Sequence, residues 1–255
     1  MRRVMWLLLF CNELLANGPS ASQDRITLCY DHWPPATIHA SVREPRHGFM
    51  VDMARDIFLQ ANYAVTLREV PYARGLHDVV AGGCDVMLLM PKLPGRGVRY
   101  PRLPAMHSRN GFFVPAHSQW QYRGLASLAR LRIGNIIGYD YSSISPAFAA
   151  FIAQPAAGAS IITKSGAQAL PQLLSLLALG RLDLMVEDEQ VARYLLRRQG
   201  LANQVKQVGA FSTTLALYPG FSNRYPGVDK LVALWDLAMQ PSQISGRLMQ
   251  RMADY

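Results

Sequence analysis

The sequence lacks the motifs of common hydrolases, nucleotide-binding enzymes and zinc proteins. It contains no Gly-x-Ser-x-Gly elbow, no Walker-type phosphate loop, no Cys-x-x-Cys pair and no two histidines at metal-ligand spacing. These absences leave no sequence pattern for a nucleophile and its base, for a metal site or for a cofactor. We therefore predict no catalytic residue, no metal and no cofactor.

Charged residues are also scarce, at 17% of the 255 residues, while half of the chain is apolar. A chain of this length and composition can bury a sizeable core or two modest ones, so it is not a disordered protein. The formal net charge is +9, but the basic residues form no dense run. We interpret them as scattered surface charges, with anionic ligands, membranes or nucleic acid as the alternative partners.

A long apolar run is missing from the sequence, but a short one follows a basic start at the N-terminus. The basic start Met1-Arg2-Arg3 precedes the apolar stretch Val4 to Phe10, and small residues follow at 20–22. The apolar stretch is too short for a stable membrane span. The pattern predicts a signal peptide over residues 1–22 and a soluble, exported, periplasmic protein, and no DNA-binding helix-turn-helix region precedes the remainder.

Cysteines number only three, and Cys11 leaves with the predicted signal. An oxidising compartment allows Cys29 and Cys84 to form a disulfide. However, Cys29 lies late in a predicted strand and Cys84 lies just before another, and parallel neighbours would hold these positions too far apart. We therefore expect two buried thiols in preference to a disulfide.

The chain is organised around residues 26–58. Ile26 to Tyr30 is apolar and β-branched and predicts a buried strand, which the prolines of Asp31-His32-Trp33-Pro34-Pro35 end. After Gly48, apolar residues recur at helical spacing as far as residue 61. Ligands of open α/β sheets bind just beyond the carboxyl ends of the strands, which is where Asp31 and Trp33 lie.

The same alternation of strand and helix recurs along the chain. It continues over residues 65–90 and restarts over residues 125–208, after which a strand at 214–218 and helices at 228–239 and 243–252 follow. This rhythm predicts two α/β units, each with a mostly parallel sheet flanked by helices.

Three motifs in order carry a resemblance to a known family. Residues 26–58 contain a strand, Asp-x-aromatic-Pro-Pro and Gly-Phe-x-Val-Asp-x-Ala, and the sequences GGCDVM at 82–87 and GRLDLMV at 180–186 follow. From about residue 26 to residue 255 the chain resembles the family 3 periplasmic solute-binding proteins, which are the amino-acid-type receptors of ABC importers.

The resemblance implies a two-lobed periplasmic binding protein type 2 fold. Lobe one would comprise residues 24–115 and 214–255, and lobe two residues 116–213, with a ligand cleft between them that closes by hinge bending. We expect a monomer that captures a small polar solute, an amino acid or a related organic acid or amine. A membrane permease or a sensor would be its partner.

Four candidate ligand-binding residues lie in the first part of the chain. Trp33 either stacks on a ligand or plugs the core beneath its turn. Asp31 either orients a ligand amine or caps a loop. Arg74 either faces the cleft or is a surface residue at the start of a helix, and Met90 ends the strand over 85–90.

Arg96 is the candidate partner for a ligand carboxylate. Family members carry Ser/Thr-x-x-Arg after this strand, and the arginine clamps an α-carboxylate. Here the stretch reads LPGR at 93–96, so the hydroxyl residue is replaced by Leu93. The alternatives are that Arg99 or Arg102 takes the role, or that this is a solvated basic loop.

Four further candidates lie in the second part. Asp188 matches the family position whose carboxylate pairs with a ligand amine, and Glu187 flanks it, although acids here also suit a helix N-terminus. Tyr139 and Tyr141 replace a Gly-Thr-Thr-like carboxylate loop and predict a narrower aromatic wall, and Asp140 between them disfavours a carboxylate. These departures argue against an ordinary amino acid as the ligand.

Three functions therefore stand. The leading hypothesis is a solute-binding protein without catalysis. The second is a periplasmic enzyme on the same fold, similar to cyclohexadienyl dehydratases, with Glu187 or Asp188 as a general acid. The third is an accessory or sensory binding protein, which neighbouring genes for a sensor or an enzyme would favour.

Overall fold

The computed structural model describes residues 24–41, 45–92, 95 and 97–241. The predicted signal peptide, Arg96 and the predicted helix at 243–252 lie outside these residues. The strands are β1 (Arg25–Tyr30), β2 (Ala64–Glu69), β3 (Val86–Met90), β4 (Val98–Arg99), β5 (Met106–Pro115), β6 (Arg132–Ile136), β7 (Ser160–Lys164), β8 (Leu184–Asp188) and β9 (Val205–Ser222). The helices are α1 (Phe49–Gln60), α2 (Tyr72–Ala81), α3 (Pro146–Ala153), α4 (Ala169–Ala178), α5 (Glu189–Arg198) and α6 (Val228–Ala238), with a short 3₁₀ helix at Leu125–Leu128.

The strands form one sheet in the order β2-β1-β3-β9-β5-β8-β6-β7, with β4 beside β9. At one end, β2, β1 and β3 are parallel, and at the other end β7, β6 and β8 are parallel. We call these the first and the second half-sheet. The predicted α/β fold with mostly parallel strands is confirmed.

Two long antiparallel strands, β5 and β9, join the half-sheets. The start of β5 pairs with the later part of β9, from Met106 opposite Leu217 to Arg109 opposite Thr214, and β3 lies on the other side of β9. The end of β5 pairs with the early part of β9 and with β8. The register shifts on both sides of Gly111. The predicted lobe boundaries at 115/116 and 213/214 stay a prediction.

Helices cover both faces of each half-sheet, and four apolar clusters fill the layers between. One cluster packs α1 and α6 on the first half-sheet around Phe58 and Trp235, and a smaller one lies under α2. The other two pack α4 with α5 and α3 with the 3₁₀ helix on the second half-sheet. Across the described ranges, the helices are all too short or too polar to cross a bilayer.

The expectation of two separate thiols is wrong, because Cys29 and Cys84 form a disulfide with their Cα atoms 5.9 Å apart. Cys29 lies within β1, opposite Met87 of β3. Cys84 is not part of that ladder, since its backbone N–H donates to the carbonyl of Asp78 at the end of α2. The helix end therefore places Cys84, and the strand spacing used for the prediction does not apply to it.

Candidate ligand-binding cleft

One cleft lies where the carboxyl ends of the parallel strands of both half-sheets face each other. Its empty volume is about 630 Å³, part of it open to solvent. Its lining comes from the turns after β1, β3 and β6, from β5, β8 and β9, and from the start of α2. The lining residues are Asp31, Trp33, Thr37, Tyr72, Leu88, Leu89, Pro91, Ser108, Asn110, Tyr139, Asp140, Tyr141, Ile144, Glu187, Leu215 and Leu217.

Trp33 stands on a tight turn at the end of β1. The backbone N–H groups of Trp33 and Thr37 each donate to the other residue's carbonyl, at 2.8 and 3.1 Å. The start of α1 is hydrogen-bonded to the same turn, because the N–H groups of Phe49 and Met50 donate to the carbonyls of Pro35 and Ala36. The predicted order of strand, proline turn and helix is therefore one hydrogen-bonded unit.

The loop that follows this turn is tied back to the first half-sheet by polar side chains. The Tyr30 hydroxyl lies 2.7 Å from Nδ1 of His47, and the backbone N–H of Ala40 donates to Oε1 of Glu69 at 2.7 Å. The backbone N–H of His39 donates to Nδ1 of His32 at 3.0 Å. These contacts fix the loop from both ends and so support the position of Trp33.

A break in β3 turns two consecutive leucines into the cleft. Leu89 has a φ of 57°, and the β3–β9 register shifts between Met87 and Met90. Neighbours in a regular strand face opposite sides, but here both Leu88 and Leu89 line the cleft. Met90, predicted to contact the ligand, is buried in the cluster under α2 instead.

Glu187, at the end of β8, is the most unusual group in the cleft, because it is an almost completely buried acid. Its Oε1 accepts hydrogen bonds from Nε1 of Trp33 at 3.1 Å and from the backbone N–H of Asp188 at 2.8 Å. Its Oε2 has no hydrogen-bond partner among the described residues, although the Tyr139 hydroxyl lies nearby. Burial raises the pKa of Glu187 to about 8, against the lowering effect of these two hydrogen bonds and of the Tyr139 hydroxyl.

Asp31 is a second acid in the lining, half-buried on the opposite side of the cleft. Its carboxylate accepts the backbone N–H of His32 at 2.7 Å and that of Tyr72, the first residue of α2. Burial raises the pKa of Asp31 to about 7 in spite of these bonds. Asp31 therefore both holds the start of α2 and lines the cleft.

Aromatic side chains form much of the remaining wall. The rings of Tyr72 and Tyr139 meet edge to face at 5.7 Å, and those of Tyr139 and Tyr141 at 6.4 Å. The Tyr72–Tyr139 contact requires a glycine at position 138, because a Cβ there would lie only 3.2 Å from the side chain of Ala73 and 3.3 Å from the ring of Tyr72. Together with the Trp33–Glu187 hydrogen bond, this contact holds the two sides of the cleft together.

Asp188 does not line the cleft, because its side chain has a structural task. Its Oδ1 accepts the backbone N–H groups of Gln190 and Val191 and so caps α5, and its Oδ2 accepts the hydroxyl of Ser108 at 2.8 Å. Asn110 donates to the same hydroxyl at 3.2 Å. The helix N-terminus alternative thus describes Asp188, and Glu187 is the acid that faces the cleft.

The structure brings together five of the nine predicted ligand-binding residues, and their role in binding stays a prediction. The five are Asp31, Trp33, Tyr139, Tyr141 and Glu187. Met90 and Asp188 lie behind the cleft. Arg74 has a largely exposed side chain that pairs with Asp78 one helical turn later. Arg96 lies outside the described residues.

Of the lining residues that the sequence analysis did not predict, three lie in a recognisable sequence pattern, namely Tyr72, Ser108 and Asn110. Tyr72 stands two positions before Arg74 in the same motif, and residues two apart on a helix point in different directions. Ser108 and Asn110 are two apart on β5 and therefore share one face. The apolar run of this strand covers only residues 111–114, so its pattern alone does not include the polar pair.

The raised pKa of Glu187 predicts how stability depends on pH. A carboxyl whose pKa is higher in the folded than in the unfolded protein stabilises the fold at low pH, and this contribution is lost as the pH rises through about 8. Between about pH 6 and pH 8, wild type should lose about 2 kcal/mol more unfolding free energy than Glu187→Gln. Urea unfolding at both pH values measures this difference.

An exposed acid serves as the control for this prediction. Asp229 has a side chain 79% exposed, far from burial effects, so Asp229→Asn should keep the wild-type dependence on pH. Asp31 contributes equally to all three proteins and cancels in the comparison. Equal pH slopes for wild type and Glu187→Gln would show that Glu187 ionises normally in the fold.

Comparison with known proteins yields structural similarity alone, because no family model and no curated protein matches the sequence. An amino acid ABC transporter substrate-binding protein of Streptococcus pneumoniae bound to L-arginine superposes with a TM-score of 0.72 at 16% identity, over 91% of this chain and 94% of that chain. A histidine kinase sensor domain with similarity to periplasmic binding proteins gives a TM-score of 0.74 at 16% identity, over 91% and 96%.

A third similar structure is an ancestral amino-acid-binding protein described as a precursor of cyclohexadienyl dehydratase. It has a TM-score of 0.69 at 16% identity, over 91% of this chain and 94% of that chain. At such identities the similarity establishes the fold, which is the one that the sequence motifs predicted. The proteins with this fold include a transport receptor, a sensor domain and a dehydratase precursor.

Proposed function

We propose that this protein is an exported solute-binding protein that captures a small solute in the cleft and delivers it to a membrane permease. The observation that carries the proposal is the cleft itself. Residues from both half-sheets line it, and the Trp33–Glu187 hydrogen bond crosses it. A site divided between two parts of the chain can couple solute binding to closure, and a partner can recognise the closed form.

Two further features support the proposal. The Cys29–Cys84 disulfide favours an oxidising compartment, in keeping with the predicted signal peptide over residues 1–22 and a periplasmic location. The two strands that join the half-sheets carry register shifts near Gly111, and such breaks in a ladder are natural places for bending.

Thermal unfolding of the purified protein against a panel of solutes tests the proposal. The panel contains amino acids, amines, carboxylates, sugars and aromatic acids. A solute that binds only the folded state raises the unfolding free energy by about 2.7 kcal/mol at a hundredfold excess over its Kd. We expect one chemical class to raise the melting temperature by several degrees. If no compound raises it, the transport function is not supported and a protein partner should be sought.

A second candidate function is a dehydratase-like enzyme, favoured by the state of Glu187. With a pKa of about 8 and a free Oε2, this side chain is a neutral acid at pH 7 and so suited to give a proton to a leaving group. Loss of prephenate or arogenate on incubation with wild type but not with Glu187→Gln would establish this activity. Persistence of both compounds at high protein concentration would leave the binding function alone.

A further inference from the structure

Among the described residues, the charged groups that line the cleft are all acidic. Asp31, Asp140 and Glu187 line it, and none of its lining residues in the described part of the chain is Lys, Arg or His. No positive charge is among the described groups that shift the pKa of Asp31 or Glu187. The one charged group that acts on Glu187 is the negative side chain of Asp188.

Buried carboxyl groups in proteins are normally paired with a cation or fully hydrogen-bonded, because removing a charge from water costs several kcal/mol. Among the described residues Glu187 has no cation beside it, and its buried Oε2 accepts no hydrogen bond of ordinary geometry, although the Tyr139 hydroxyl lies close to it. An atom in this state on the wall of an open cleft lacks a partner that a ligand can provide. A cationic N–H group supplies both the missing hydrogen bond and the missing charge.

The rest of the wall suits the same kind of ligand. Trp33, Tyr72, Tyr139 and Tyr141 present aromatic rings, and the negative face of such rings attracts organic cations. Leucines from β3 and β9 supply an apolar surface for a hydrocarbon body, namely Leu88, Leu89, Leu215 and Leu217. A ligand carboxylate would meet three acids and no described cation.

We propose that the cleft selects an organic amine, a cation with an apolar or aromatic body and no carboxylate, held between Glu187 and Asp31. This inference rests on the proposed solute-binding function and names its ligand class. The amine would donate to Oε2 of Glu187, while Trp33 continues to donate to Oε1. Its body would lie along the leucines.

Binding of such a ligand should be coupled to protons. Burial raises the pKa of Asp31 to about 7 and that of Glu187 to about 8, so the empty cleft holds protons at neutral pH. A bound cation favours the ionised carboxylates and lowers both pKa values. Affinity for an amine should therefore rise with pH between about 6 and 8, with release of protons into the buffer.

Calorimetric titration with matched compounds tests the ligand class. The probes are 2-phenylethylamine, phenylalanine, 3-phenylpropanoate and 2-phenylethanol, which share a ring and differ in charge, together with hexylamine and cadaverine. We expect at least one amine to bind at least tenfold more tightly than phenylalanine and 3-phenylpropanoate. Its affinity should rise severalfold from pH 6 to pH 8, with a binding heat that depends on the buffer.

Two variants separate the role of Glu187 from general damage. Glu187→Gln keeps the shape of the side chain and should weaken amine binding at least tenfold and flatten its pH dependence. Asp229→Asn removes an exposed acid outside the cleft and should bind as wild type does. The melting temperature of each variant without ligand verifies that it is folded.

Several results would overturn the proposal. Phenylalanine or 3-phenylpropanoate binding as tightly as every amine would do so, as would unchanged amine affinity in Glu187→Gln. If a sugar or a carboxylate binds while all amines fail at about 10 mM, the solute-binding function holds and the ligand class is wrong. If nothing in either panel binds, both proposals fall.

Discussion

Reduction of the Cys29–Cys84 disulfide is expected to lower the unfolding free energy by about 4 kcal/mol, because the bond closes a loop of 55 residues in the unfolded chain. In a protein of this size, that loss corresponds to a fall in melting temperature of roughly 10 °C. Melting curves with and without a thiol reductant measure the effect directly. The reduced thiols keep the volume of the buried sulfurs, so the comparison isolates the cross-link.

The double variant Cys29→Ala and Cys84→Ala provides the control. It should melt well below oxidised wild type and show no response to the reductant. If the reductant leaves the melting temperature of wild type unchanged under unfolding conditions that expose the bond, the two sulfurs are not joined in solution. The buried thiols expected from the sequence would then be correct.

The disulfide should also matter for binding. Cys29 lies two residues before Asp31, and Cys84 follows the helix that begins at Tyr72, so the bond ties together two elements that supply cleft residues. We therefore expect the reduced protein to bind any ligand of wild type more weakly, even at temperatures where it remains folded.

Substitution of Gly48 by alanine is expected to cost about 3 kcal/mol or more in unfolding free energy. Gly48 has a φ of 98°, where residues with a Cβ are strained, and a Cβ added there would lie 2.7 Å from the carbonyl carbon of Ala36 and from Cα of Thr37. These contacts are backbone atoms, so a side-chain rotation cannot relieve them. The turn that carries Trp33 would have to move away from the start of α1.

Gly166→Ala is the matched control for this effect. Gly166 has a φ of 86° but nothing within 4 Å of its Cβ position, so the variant reports the cost of the backbone conformation alone. That cost should be about 1–2 kcal/mol. Urea unfolding of the two variants gives the difference. Equal losses of unfolding free energy would show that the turn moves away at no cost and that the close approach of Gly48 to Ala36 and Thr37 does not matter.

The fold is predictable from the sequence because its regular elements follow simple periodicities. Apolar residues at helical spacing locate α1 and α4, and short β-branched runs ending in glycine or proline locate β1 and β6. For the long strand β9 the sequence predicts two short strands at 205–208 and 214–218, because Gly209 and the polar residues around Ser212 interrupt the pattern. Pairing with β5 carries the strand through that interruption.

The cleft is harder to predict because its composition depends on local breaks in regular structure. The left-handed conformation of Leu89 reverses the side on which Met90 lies. At the end of β8, both Glu187 and Asp188 are buried, and which one faces the cleft depends on which one caps α5. Spacing alone encodes neither choice, because the first accompanies a register shift against the distant strand β9, and the second combines local capping of α5 with a hydrogen bond from the distant Ser108.

Because β5 pairs with β9, the residues of the binding site fall into an inner stretch of the gene and the two stretches that flank it. Pro115 lies opposite Val205, and the N–H of Ala116 donates to the carbonyl of Gln204 at 2.8 Å, so residues 117–203 begin and end at adjacent points on β5 and β9. That segment carries Tyr139, Tyr141 and Glu187, and its strand β8 pairs with β5 outside it. Recombination at its two ends could graft it as a cassette between proteins of this fold, exchanging one wall of the site while Asp31 and Trp33 remain.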